Sequence, residues 1–219
     1  MGKAARPMPW NEVEVLQDYC KKHRMHRDWL LVVLGCSTGF RFAELRFLTW
    51  GDILGKTELS IAQGKQKGRK RTVPLHPHVN QVAVEAYAAA VAATPPSKRK
   101  VSNLLGAYIF KSQSNNSIGS DKPITRNGAN DVLIRLCKAV AVDMRTSVHS
   151  QRKAWAIRMF ELLGGDDNAL IQVSEFLGHR DTATTRRYLG FTEAKKLETV
   201  LQIWDFKEAD SPAAARANG

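Results

Sequence analysis

The sequence is short of several things, and each shortage excludes something. Three cysteines, Cys20, Cys36 and Cys137, are spread through 219 residues. None belongs to a CxxC pair, so a disulfide framework and a cysteine metal site are not expected, and reduced thiols in a core are. No apolar run approaches the about 20 residues of a membrane-spanning helix. The first ten residues, MGKAARPMPW, are basic but lack the apolar segment of a secretory signal. Acidic side chains are outnumbered, with 21 Asp and Glu against 33 Lys and Arg, a formal net charge of +12. So basic a chain needs an anionic partner. Double-stranded DNA fits that need best. A membrane surface fits less well, because no lipidation motif or long basic amphipathic helix is present. The expected placement is cytoplasmic and nucleoid-associated.

What is present is a helical pattern with one interruption. A helix is expected from Pro9 or Trp10 to about Lys22, with Trp10, Val13, Leu16 and Tyr19 on one face. An almost wholly apolar helix follows from about Arg27 to Ser37 and should be central. Thr38-Gly39 breaks it, and a third helix is expected from Arg41 to Thr49. The period then changes. ELSIAQ and RTVPL read as paired strands around the cationic loop GKQKGRK. Helices are expected again from about 77 to 93, 126 to 142, 149 to 163, 168 to 177, 181 to 187 and 193 to 204, with a short strand at 108–110. The fold class is therefore mainly α with a small antiparallel β-sheet. Residues 1–8 should be a flexible N-terminus, 9–206 one domain, and 207–219, EADSPAAARANG with its preceding lysine, a disordered tail.

The chemistry concentrates in residues 148–193. His149 and Arg152 stand three residues apart, on one helix face. His179 follows Gly178, and Tyr188 follows Arg186-Arg187. Cutting a DNA phosphodiester without a metal needs cations on the non-bridging oxygens, a nucleophile in line, and a proton for the leaving 5′ oxygen. Arg41 and Arg152 suit the first role, since a guanidinium presents a fixed fork of donors. Tyr188 suits the second, giving a phosphotyrosyl ester that conserves the energy of the broken bond. Lys65 in the hairpin loop suits the third, and Lys67 competes with it. His149 and His179 can bond phosphate or handle the tyrosine proton. Glu44, one turn after Arg41, can brace it. Lys67, Arg69, Lys70, Lys153, Arg180, Arg186 and Arg187 are further candidates for DNA contact. Each residue taken singly is more often an ordinary surface or packing residue; the combination carries the reading.

Together these residues resemble the tyrosine recombinase (phage integrase) family. TGFRFAEL matches its TGxRxxEL box, HSQR its HxxR box, and EFLGHRDTATTRRY the box in which LGH precedes the tyrosine by nine residues. QGKQKGRKRTVPL resembles its lysine-bearing hairpin. The resemblance spans about residues 10–205 and implies the catalytic-domain fold of that family. It also implies a mechanism. Tyr188 would form a 3′-phosphotyrosyl link and free a 5′-hydroxyl, Arg41, Arg152, His149 and His179 would stabilise the transition state, and the hairpin lysine would act as acid. Four protomers, monomeric when free, would act on two duplexes, with no cofactor and an accessory DNA-binding protein as a further partner. Integration, excision, inversion and resolution remain open outcomes. So do two other functions, a type IB topoisomerase-like nicking-closing enzyme and a non-catalytic basic DNA-binding module.

Three departures from the family pattern stand out. Gln151 and Lys153 flank Arg152 where leucine and histidine are usual. The hairpin is one residue longer than is common, which leaves Lys65 and Lys67 close competitors. The boxes begin almost at once, where relatives carry a DNA-clamping N-terminal domain, so the chain is expected to be either the catalytic part of a longer protein or a naturally short recombinase. The 193–204 helix is expected to dock on its own domain or on a neighbouring protomer.

Overall fold

The computed structural model describes residues 6–62, 70–95, 104–112, 121–179 and 181–189. The hairpin loop with Lys65, Lys67 and Arg69, together with Arg180 and the expected helix at 193–204, lies outside them.

Helix α1 (Trp10–Lys22) buries Val13, Leu16 and Cys20, and α2 (His26–Ser37) is buried along most of its length. Its apolar run has no solvent face because α1, α5 (Pro77–Ala93) and α7 (Val148–Leu162) pack around it. The buried Asp28 carboxylate near its start is held by Arg27 and Arg135, each at 2.7 Å. Pro77 opens α5 at a position where its missing N–H costs nothing.

The expected helix over 41–49 is shortened to α3 (Phe42–Leu45), and a separate short helix, α4 (Trp50–Ile53), follows it. Thr49 divides them. It takes extended backbone, caps α4 against Asp52 at 2.7 Å, and bridges to Tyr108. The expected strand at 108–110 is reduced to that bridge and one between Lys111 and Pro123.

Strands β1 (Glu58–Ala62) and β2 (Lys70–Pro74) pair antiparallel, Leu59 opposite Val73. Leu59 and Val73 face the core, as the period-two reading expects, but so does Arg71. Helix α6 (Arg126–Ala139) is capped by Thr125, which accepts from the Gly128 N–H at 3.0 Å, and α7 by Ser147. Helix α8 (Asp167–Leu177) is capped by Asp166 and ends on Gly178 in left-handed backbone. A short helix, α9 (Thr182–Leu189), then folds back onto α7 and α8. It closes a small apolar cluster of Trp155, Ala156, Val173 and Leu177 with Tyr188 and Leu189 at its edge. No helix among the described residues is long and apolar enough to cross a membrane.

Gly39 is the tightest joint near this cluster. Its φ is +58°, and a Cβ there would lie 2.6 Å from the Trp155 ring. Both penalties act together, so Gly39→Ala is expected to destabilise the chain by roughly 1–3 kcal/mol, the cost of a strained backbone residue. Urea unfolding measures it.

Candidate active site

Four side chains from three elements meet above the C-terminal end of α8. His149 lies in the first turn of α7, and Arg152 follows one turn later. The Gly178 turn delivers His179, and α9 delivers Tyr188. The Tyr188 ring stands edge-on to both histidines, with centroids 5.0 Å from His149 and 5.5 Å from His179. Its hydroxyl is 3.3 Å from His149 Nδ1. The Arg152 guanidinium lies 6.0 Å from the ring centroid and the Lys153 ammonium 5.8 Å.

Arg152 is 2% exposed. It donates to the carbonyls of Gly39 and of Leu177, the latter at 2.8 Å, and faces His179 Nε2 at 3.4 Å. Arg41 precedes α3 with half of its side chain exposed. Its backbone N–H donates to Glu44 at 2.6 Å, and its guanidinium lies 3.8 Å from the same carboxylate. Arg41 bears electrostatically on Arg152, His149, His179 and Tyr188.

The model of the phage integrase family matches residues 7–195.

The chain belongs to the phage integrase family.

A curated relative, the tyrosine recombinase XerD of Halalkalibacterium halodurans, is 30% identical over 173 residues, which are 77% of this chain and 51% of the relative. The chain thus spans about half the length of that relative. Among solved structures, XerA recombinase aligns with a TM-score of 0.64 at 19% identity, covering 92% of this chain and 66% of the other. XerH site-specific recombinase bound to a palindromic difH substrate aligns at 0.63 and 21%, covering 93% and 54%. The fold is therefore that of a tyrosine recombinase catalytic domain, mostly helical with one small sheet.

Arg41, Glu44, His149, Arg152, His179 and Tyr188, expected together from the sequence, lie in one neighbourhood. The two departures beside Arg152 have different settings. Gln151 points into the core, where its amide donates to the Leu31 carbonyl at 3.3 Å and occupies the space that Gly35 leaves free. Lys153 stays at the site, beside the tyrosine ring. Other expected contacts are more peripheral. Lys70 is exposed at the start of β2. Arg186 is paired with Asp167 at 3.2 Å on the exposed face of α9, and Arg187 is exposed beside it.

Three polar residues at the site were not singled out from the sequence. Arg71 stacks on Phe40 at 3.9 Å and donates to the Phe176 carbonyl. Its signal was a charged residue in the inward register of a strand. Thr185 is fully buried one turn before Tyr188, and Ser174 is buried opposite it on α8. Both lie on the inner faces of amphipathic helices, where a hydroxyl needs a partner.

Positive charge outweighs negative at the site, where Glu44 and Asp181 face several cations. Desolvation lowers Arg71 and Arg152 to about 10 each; neighbouring arginines add to the shift. Desolvation raises Tyr188 while Arg152 pulls it back. Both histidines fall to about 4: His149 through desolvation and then Lys153 and Arg152, His179 through desolvation and then Arg152. Between pH 6.5 and 4 the unfolded chain binds protons at these imidazoles that the folded chain refuses. The stability they contribute is full above pH 6.5 and lost as pH falls toward 4. Chemical denaturation across that window should show a shallower slope in the His149→Gln, His179→Gln double variant.

Proposed function

We propose that this chain is the catalytic part of a site-specific recombinase that cleaves and rejoins DNA through a 3′-phosphotyrosyl link. The observation that carries the reading is the Tyr188 hydroxyl seated against His149, with Arg152 and His179 around the same ring. Two sequence boxes supply these groups, a third supplies Arg41, and the chain belongs to the phage integrase family.

The chemistry follows from the donors. Arg152 uses parts of both terminal nitrogens on carbonyls, and a guanidinium has five N–H groups. The remaining donors, with those of Arg41, hold the non-bridging oxygens of the scissile phosphate. Tyr188 lies beside Arg152 in the free chain, so the phenol starts next to the cation that holds the phosphate. The phenol oxygen attacks phosphorus, and the bond from phosphorus to the 5′ oxygen breaks. His149, neutral at pH 7, takes the phenol proton at Nδ1. The departing oxygen receives its proton from the hairpin lysine, Lys65 or its competitor Lys67. A 5′-hydroxyl from a partner duplex reverses these steps, and no external energy source is consumed. Glu44 orients Arg41. Lys67, Arg69, Lys70, Lys153, Arg180, Arg186 and Arg187 contribute backbone contacts along the duplex. Four protomers on two duplexes exchange strands, with an accessory DNA-binding protein adding specificity.

Two measurements test this. A library of nicked duplexes randomised around the nick, incubated with the full chain and run on a denaturing gel, should yield a covalent protein–DNA band. The band should vanish in Tyr188→Phe; its survival there would move the nucleophile elsewhere. The recovered duplex then serves for binding. Affinity of the free monomer should be weak and fall steeply with salt, since phosphate contacts release counterions. A tight affinity that is flat in salt would contradict binding through the phosphate contacts proposed above.

A further inference from the structure

His179 is joined to two buried hydroxyls on its far side. Its Nδ1 lies 2.8 Å from Thr185 Oγ1, which lies 2.5 Å from Ser174 Oγ. Ser174 in turn donates to the Asp181 carbonyl at 3.4 Å. Thr185 is 0% and Ser174 5% exposed, so water does not compete for either.

The direction of this chain is forced from both ends. Arg152 can only donate, so His179 Nε2, 3.4 Å away, presents its lone pair. A neutral imidazole with a bare Nε2 carries its proton on Nδ1. That proton goes to Thr185, the Thr185 proton to Ser174, and the Ser174 proton to a carbonyl, which can only accept. Each hydrogen has one acceptor. Reversing the chain would set an Nε2 proton against the arginine and break the bond from Ser174 to the Asp181 carbonyl.

We propose that Thr185 and Ser174 are positioning residues that commit the Nδ1 proton of His179, so that Nε2 is the nitrogen that gains and loses a proton inside the site. The consequence for chemistry rests on the recombinase reading. In the free chain Arg152, Arg41 and Arg71 surround the ring with positive charge, and Asp181 opposes them. A phosphate that draws the arginine donors to itself reverses that balance. The proton then taken up lands on Nε2, which becomes a donor to a phosphate oxygen. The Nδ1 bond to Thr185 is the same before and after, so the ring neither flips nor turns.

The test reads tautomer and rate separately. Nitrogen-15 histidine spectra of the full chain at neutral pH, with His179 assigned from its loss in His179→Gln, should show a proton on Nδ1 and none on Nε2. In Thr185→Val, which keeps the shape and removes the hydroxyl, the proton should shift toward Nε2. Covalent-complex formation on the duplex recovered from the library should slow by roughly tenfold to a hundredfold, part of the about 10²–10⁴-fold that a positioned proton-transfer group contributes. DNA affinity should stay at the wild-type value. Thr185→Ser, which restores the hydroxyl, should recover both spectrum and rate. A wild-type His179 protonated on Nε2 would overturn the inference, as would a Thr185→Val protein that reacts as fast as the wild type. A wild-type chain that forms no covalent complex would instead sink the recombinase reading, and the spectra alone would then decide the tautomer.

Discussion

One buried guanidinium ties the site together. Arg152 donates to the carbonyl of Gly39 and to that of Leu177, residues 113 and 25 positions away in the chain. The first lies two residues before Arg41 and the second two residues before His179. A charge this deep is costly unless each donor finds an acceptor. The carbonyls, in turn, would cost about 1–3 kcal/mol each if left unpaired. The need to satisfy both sides fixes the distance between the α3 entrance and the α8 exit. Gly39 can make this approach because its left-handed backbone and missing side chain leave room for Trp155.

The end of α8 shows the same economy. An α-helix leaves its last four carbonyls without partners inside the helix. Here Ser174 and Glu175 are satisfied by the N–H groups of His179 and Gly178. Phe176 and Leu177 are satisfied by Arg71 from β2 and Arg152 from α7. Helix termination and histidine placement are thus one event. Arg71 also fastens the hairpin to that event, so the strand that leads out of the lysine loop and the turn that presents His179 share consecutive peptide groups.

Much of this was legible in the sequence. Helix periods, the change to period two at ELSIAQ, and the spacing of the boxes were enough for the fold class and for His149, Arg152, His179 and Tyr188 as neighbours. What escaped was whatever depends on two distant segments at once. The early end of the expected 41–49 helix goes with Thr49 pairing with Tyr108, which no local pattern announces. Arg71 reads locally as one more cation in a basic hairpin, and only burial against Phe40 and α8 separates it from Lys70. Thr185 reads as one of three threonines on a short helix until His179 is brought against it. Gln151 looked like a change at the site because it adjoins Arg152 in sequence; the helix turns it toward Gly35 instead.

The partners chosen for Arg71 and Arg152 have a further consequence. Both arginines are oriented mainly by peptide dipoles. A carboxylate would hold a guanidinium as firmly, but it would also cancel the charge and would have to be displaced before an anion could use it. Carbonyl groups fix direction and leave the positive field intact. The site therefore meets an incoming anion already organised, and little reorganisation energy remains to be supplied when charge develops there.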